Sequence, residues 1–295
     1  MDIPRISIVT PSYNNAIYLE ATIRSILDQR YPNLDYSIVD GGSTDGSVDI
    51  IRRYADKLAW WVSEPDDGPY DALNKGFARA TGDIMAWLNA DDIYFPWTLV
   101  TVAQIFSQFP DVEWISGSVC FMNQNDQVIA TELMGGGLSR DLVQRGCYRH
   151  GLAGYLPQEG MFWRRSLWER SGASLDLSLC LAADFELWTR FAQFTAPASI
   201  KCLLAAFRKH PHTQRSGVMR DSYRAEVEKI CRDLGSPPFM WKYFGWFDAA
   251  NLLYRLLFLY GSSETIEYDL GPRQWVYKRR KWGPLYRPFV VRRKV

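Results

Sequence analysis

Early in the chain, four short apolar runs each break off in a polar cluster and then lead into a stretch with helical spacing. Residues 5–10 run into Pro11-Ser12-Tyr13-Asn14-Asn15, then into 16–29, where Ile17, Ala21, Ile23, Ile26 and Leu27 are the apolar positions. Residues 36–40 run into Gly41-Gly42-Ser43-Thr44-Asp45-Gly46 and a helix-patterned 48–54. Residues 60–63 precede a helix over 70–80, and residues 83–88 end in Asn89-Ala90-Asp91-Asp92 before a helix over 97–109. Strands alternating with helices at this spacing predict βαβ units and a mostly parallel sheet flanked by helices, an α/β fold. Ligands of such sheets bind beyond the carboxyl ends of the strands, which is where these polar clusters fall.

The most telling cluster is the last. Two adjacent carboxylates, Asp91 and Asp92, repel each other unless a cation or donor groups compensate. A hard divalent ion such as Mg²⁺ or Mn²⁺ does so and also grips phosphates. Taken alone, an acidic pair after a strand also serves as a loop or helix cap.

Taken together, the clusters run in a fixed order: Thr10-Pro11-Ser12-Tyr13-Asn14-Asn15, Asp40 through Ser47, Asn74-Lys75-Gly76 with Ala80-Thr81-Gly82-Asp83, and Leu88 through Asp92 with Pro96. This order closely resembles the family 2 glycosyltransferases, which have the GT-A fold, over roughly residues 5–215. Residues 63–76 resemble a subgroup common among bacterial surface-polysaccharide transferases. The resemblance implies a nucleotide-diphosphate-sugar donor, UDP-sugars being commonest, a divalent metal (Mn²⁺ or Mg²⁺), and a lipid-linked or saccharide acceptor. It makes residues 1–110 the donor-binding half, 111–216 the acceptor half of the same domain, and 217–295 a C-terminal helical extension with a basic tail.

Residue by residue, the resemblance assigns Asp40 to the base. A carboxylate with nearby backbone N–H groups can read a pyrimidine imide, and two glycines let the backbone approach closely; capping a turn is the other reading. Thr10, Pro11 and Tyr13 line the same rim, with Tyr13 placed to lie against the base. Asp45 reads better as a helix cap. Asn74 is placed to reach ribose or diphosphate. Many relatives carry Arg before it, where this chain has Leu73, leaving Lys75 as either a substitute phosphate contact or a solvated cation. Asn89 replaces the first Asp of the family's metal motif and keeps a carbonyl oxygen for the ribose, beside Ala90. Asp91 is then the direct metal ligand, with Asp92 secondary or orienting. His210 falls where relatives carry a His near the metal, and an imidazole suits Mn²⁺ better than Mg²⁺; an exposed loop His is the alternative.

Downstream, Asp184 matches the family's catalytic base, although many relatives have Glu where this chain has Ala183. The helix dipole also favours an Asp there. Leu187, Trp188 and Phe191 are placed to fasten that helix, 183–194, to the core. Gln158 and Glu159 lie near the expected acceptor cleft. The same segments predict strands at 113–119, 128–131, 160–163 and 200–207, and helices at 218–234 and 239–260.

Charge is segregated along the chain. Residues 271–295 hold nine Lys or Arg and no acid, so with a net charge of +1 overall, residues 1–270 carry −8. The basic residues alternate with Trp275, Tyr277, Trp282, Tyr286 and Phe289, which predicts peripheral contact with an anionic membrane surface. Packing of the tail on the acidic remainder is the competing reading, and nothing else supports nucleic acid. The five cysteines are scattered without a C-x-x-C pair, and no uncharged run reaches membrane-spanning length, which predicts a cytoplasmic protein with reduced thiols. Two other functions compete. A sugar-phosphate nucleotidyltransferase would put a Gly-rich, Arg-containing loop after the first strand, which this chain lacks. An inactive sugar-nucleotide-binding or scaffold protein would explain Leu73, Asn89 and Ala183 but not the retained Asp40, Asp91, Asp92 and Asp184.

Overall fold

The computed structural model describes residues 3–134, 137–149, 156–210, 219–235, 261–282 and 290–294. Strands β1 (Ile6–Ser12) and β2 (Leu34–Asp40) are buried along nearly their whole length, as strands covered on both faces must be. They pair in parallel; β2 continues to β3 (Trp60–Ser63), and β4 (Ile84–Trp87) lies parallel on the other side of β1. Helices α1 (Ala16–Leu27), α2 (Ser47–Arg53) and α3 (Pro69–Arg79) are the crossovers. The α1 stripe of Leu19, Thr22, Ile23 and Ile26 faces the sheet, at helical spacing. Helix α3 rides close to the sheet because position 76 has no side chain: a Cβ there would lie 2.4 Å from a Val9 methyl.

After β5 (Ile93–Tyr94) and α4 (Thr98–Gln108), β6 (Trp114–Asn123) forms a hairpin with β7 (Val128–Met134). Next come β8 (Leu138–Ser139), α5 (Arg140–Gln144), β9 (Met161–Arg164), α6 (Arg165–Arg170), α7 (Ala183–Phe194), β10 (Ala198–Lys209) and α8 (Arg220–Asp233). β9 runs antiparallel to both β4 and β6 and joins the two halves into one sheet. Across the molecule the order is β12-β11-β10-β6-β9-β4-β1-β2-β3. Trp87, Trp114, Trp163, Trp188 and Phe191 fill the core beneath the strand ends, with the Trp87 and Trp188 rings stacked 5.5 Å apart. Leu187, Trp188 and Phe191 fasten α7 to that cluster, as their spacing implied.

The C-terminal stretch departs from the tail that its charge suggested. β11 (Gly261–Asp269) lies parallel to β10, and β12 (Gln274–Trp282) returns antiparallel to it as the edge of the central sheet. β13 (Val290–Lys294) pairs with β7. Lys278 on β12 is paired with Glu267 on β11, which also holds Lys201 at 2.7 Å. Charged side chains on an edge strand block pairing with other chains. The helix expected over 239–260 lies outside the described residues.

Candidate active site

Parallel pairing aligns the strand ends. Ser12 stands opposite Asp40, Asp40 opposite Ser63, and Val9 opposite Trp87, so the polar clusters after β1, β2, β3 and β4 gather along one edge of the sheet. The chain moves outward from β1 through β2 to β3, then returns to the far side of β1 as β4. That reversal opens a crevice at the carboxyl ends of β1 and β4.

At the ends of β1, β2 and β3, the structure uses several expected contact groups to build the loops themselves. Asp40 is fully buried, and its carboxylate accepts hydrogen bonds from the Gly42 and Ser43 N–H groups at 3.1 and 2.9 Å. The Ser43 and Ser63 hydroxyls donate to it as well, at 2.6 and 2.7 Å. The Thr10 hydroxyl is also buried, 3.1 Å from that of Tyr36, and Pro11 is buried beside it. Of that rim only Tyr13, 66% exposed, offers a free ring face. Asp45 caps, as its turn context suggested: it accepts from Ser47 at the start of α2 and from the Ala16 N–H at the start of α1. Asn74, expected at the ribose or diphosphate, instead clamps the Leu175 backbone with both amide atoms, at 3.0 and 2.8 Å. Lys75 is partly exposed and ion-paired, its ammonium 3.1 Å from Asp71 and 3.2 Å from Glu64. Asp66, assigned no role from sequence, packs beside the Gly41 turn. Its carboxylate lies 2.8 Å from where a Cβ on residue 41 would stand, so a side chain there would have to displace it. Burial raises its pKa.

The acidic turn after β4 is tied down from several sides. Asp91 has an oxygen 3.0 Å from His210 Nε2, which brings together two residues far apart in sequence. His210 is buried against the Tyr18 ring, not exposed on a loop. Asp92 is fully buried; one oxygen accepts the Arg208 N–H at 2.8 Å and the other faces the Asn89 amide at 3.4 Å. Its carboxylate anchors the turn inward, beside Asp91. Burial, then Asp91 and Glu159, push its pKa well up. The Asn89 amide also donates to Gln158 at 3.2 Å, and Gln158 donates to the Trp87 carbonyl at 2.9 Å. Asn89 and Gln158 thus bridge the end of β4 to the turn before β9. Ala90, between Asn89 and Asp91 in sequence, is buried. Arg208, also missed from sequence, donates to the Asp91 carbonyl at 2.7 Å, pairs with Asp126 and packs over Tyr18.

Asp184 occupies the first turn of α7, where its carboxylate accepts the Phe185 N–H at 2.7 Å. Burial raises its pKa to about 6, with a further push from Glu226. Glu159 is buried nearby and raised to about 7, by burial first and by Asp184 and Asp91 as well. Tyr70 from α3 and Tyr223 from α8 also face Asp184. Carboxylates lifted toward neutrality inside a crevice are what proton-transfer chemistry needs.

A sheet of this order, with an acidic turn after its fourth strand and a half-buried carboxylate in the first turn of α7, has the architecture of GT-A sugar transferases. Solved structures agree on the fold. Staphylococcus aureus TarS residues 1–349, in complex with UDP-GlcNAc, superimposes with a TM-score of 0.59 at 15% identity, over 86% of this chain and 76% of that one. A Pyrobaculum calidifontis mannosyltransferase in complex with GDP-Man and Mn²⁺ gives 0.57 at 21% identity, over 80% and 66%. Against the longer TarS chain, the match spans 43% of its length. The family description Glycosyl transferase family 2 matches residues 7–169. An uncharacterized glycosyltransferase of Mycobacterium tuberculosis is 34% identical over 215 residues, 69% of this chain and 75% of that protein. TuaG of Bacillus subtilis, a putative teichuronic acid biosynthesis glycosyltransferase, is 40% identical over 92 residues, 30% of this chain and 36% of that protein. The chain belongs to glycosyltransferase family 2.

Proposed function

We propose that this glycosyltransferase moves a sugar, with inversion at the anomeric carbon, from a UDP-sugar to a hydroxyl of a lipid-linked or growing surface polysaccharide. The observation that carries the mechanism is Asp184: a half-buried carboxylate in the first turn of α7, its pKa raised to about 6, with Glu159 acted on by both it and Asp91. The names of TarS and TuaG support the donor and acceptor class.

In this reading, residues 1–110 hold the donor and residues 111–216 present the acceptor. Tyr13 lies against the base, and the Asp40-braced loop and Asp66 shape its pocket. The Asp184 carboxylate takes the proton from the acceptor hydroxyl as that oxygen attacks C1, and the C1–O bond to the diphosphate breaks on the opposite face. Gln158 and Glu159 line the acceptor side.

The donor set fits a divalent cation. Asp91 offers an oxygen and His210 a nitrogen 3.0 Å apart, and the surplus of buried carboxylates around them calls for positive charge. No cluster of three ligating side chains exists among the described residues, so the donor's phosphates would complete the shell. When bound, Mn²⁺ or Mg²⁺ would stabilise charge on the departing diphosphate. Asp92, Asn89 and Arg208 hold the turn that presents Asp91.

Among the described residues no helix is long and apolar enough to cross a membrane. Contact with an anionic cytoplasmic leaflet through the basic C-terminal segment would bring the site to a lipid-linked acceptor. The test of the function is NMR of the product formed from each of a panel of nucleotide sugars. An inverted anomer from a UDP-sugar is expected, and a retained anomer would overturn the mechanism.

A further inference from the structure

Asp184 sits at the foot of a helix whose leading loop is gripped from a different helix. Glu226, on α8, accepts the Cys180 N–H at 3.0 Å on one carboxylate oxygen, and the Leu181 and Ala182 N–H groups at 2.9 Å each on the other. Ala182 is the residue that precedes α7, and Asp184 follows two residues later. Three consecutive amides converging on one carboxylate form a backbone nest, and such charge-assisted bonds are the strong ones. The positive end of α7 adds to the attraction. Nothing in the sugar-transfer reading above uses this contact, and α8 lies beyond the residues matched by the family description.

The contact is built for direction. The three residues from 180 to 182 hydrogen bond to Glu226 rather than to a neighbouring strand, so the entry angle of α7 is set by α8. Tyr223 lies one helical turn before Glu226, on the same face; Glu226 raises the Asp184 pKa, and Asp184 in turn raises that of Tyr223. On the other side, the Tyr70 hydroxyl meets the backbone of Ala183. The acid is therefore framed by α3, by α8 and by Glu159 in the turn before β9.

We propose that Glu226 is a positioning residue for Asp184, fixing the turn at 180–182 so that the Asp184 carboxylate faces the acceptor hydroxyl. This rests on Asp184 being the base. Glu226 is also an anion that raises the Asp184 pKa, so its removal eases ionisation of Asp184, whose other titratable neighbours are Tyr70, Tyr223 and Glu159.

The experiment is a double-mutant cycle on the full chain, with Glu226→Ala and Asp184→Asn alone and combined. Misplacing a reacting group by about 1 Å costs on the order of 10²-fold in rate. Glu226→Ala is expected to lower kcat by about that factor while donor KM stays within about twofold. The acid limb of its kcat profile should move to lower pH, which a merely structural loosening would not cause. In the Asp184→Asn background, the same change should alter the residual rate by less than about twofold, since it acts through the missing carboxylate. Where Glu226→Ala fails to fold, Glu226→Gln keeps the side-chain length and one accepting oxygen, and serves in the same cycle. Hydrogen exchange at residues 180–182 reports the lost clamp directly. Full additivity of the two substitutions, or undiminished kcat in the Glu226 variant, overturns the positioning role. Wild-type turnover in Asp184→Asn alone overturns the base assignment instead, so the two failures are told apart.

Discussion

Replacing Asp184 by Asn should make the protein more stable and less active at once. Burial raises the carboxyl from its ordinary 3.8 to about 6 in the folded chain. The folded state therefore binds that proton more tightly than the unfolded state. The stability it contributes is complete below about pH 4 and is lost as pH climbs through about 6. Two pKa units at 1.36 kcal/mol each give about 3 kcal/mol of deficit at pH 8, and roughly half of that at pH 5. The amide never ionises, so the variant escapes the deficit, and its side-chain oxygen still accepts the Phe185 N–H. At about 2–4 °C per kcal/mol, thermal unfolding should come roughly 6–12 °C later than wild type at pH 8, with the gap narrowing toward pH 4. Turnover should fall by about 10²–10⁴-fold, because the amide cannot take the acceptor proton. Wild-type turnover should itself decline below about pH 6 as the base is protonated. Calorimetry and initial rates across pH 4–8 check both sides. A variant no more stable than wild type at pH 8 would refute the argument that ionising this carboxyl costs the folded state.

Asp91→Ala should abolish Mn²⁺-supported transfer and weaken Mn²⁺ binding measured by electron paramagnetic resonance; near wild-type turnover in EDTA would contradict the metal assignment. Gly76→Ala should cost about 1–3 kcal/mol in urea denaturation, because its methyl would overlap Val9 on β1. Sedimentation with liposomes should depend on anionic lipid and fall at high salt, with Lys278 and Arg279 changed to Glu reducing it further; binding indifferent to lipid charge would exclude the membrane reading.

The parallel half of the fold was plain in the sequence because each strand there is buried on both faces and ends in a turn signal. Strand β3 and helix α7 fall on the residues expected, and the other early elements shift by a residue or two. The strand β12 was hidden. Its Lys278-Arg279-Arg280-Lys281 run reads as a solvated tail because an edge strand needs no apolar face on its open side. At the site, sequence placed Asp91 and His210 in one neighbourhood, and the fold brings them together. It could not show how polar atoms would be spent. Asn74 is occupied by the backbone of Leu175, and Asp40 by Ser63, through pairings that depend on how distant loops meet. Arg208 and Glu226 carry no motif; only the sheet and helix arrangement gives them their partners.

The placement of β9 bears on how the chain can be made and cut. The donor strands leave β4 with an open edge until residues 161–164 arrive to pair with it, and β10 waits for residues 261–269. Synthesis adds about 5–20 residues each second, so a nascent chain carries an uncovered strand edge for several seconds before its partner emerges. The stretch 1–110 thus ends with a strand edge that only later residues cover. Truncation after residue 216 should leave the β10 edge bare and prone to self-association, while cleavage in a loop of the finished protein leaves both edges closed.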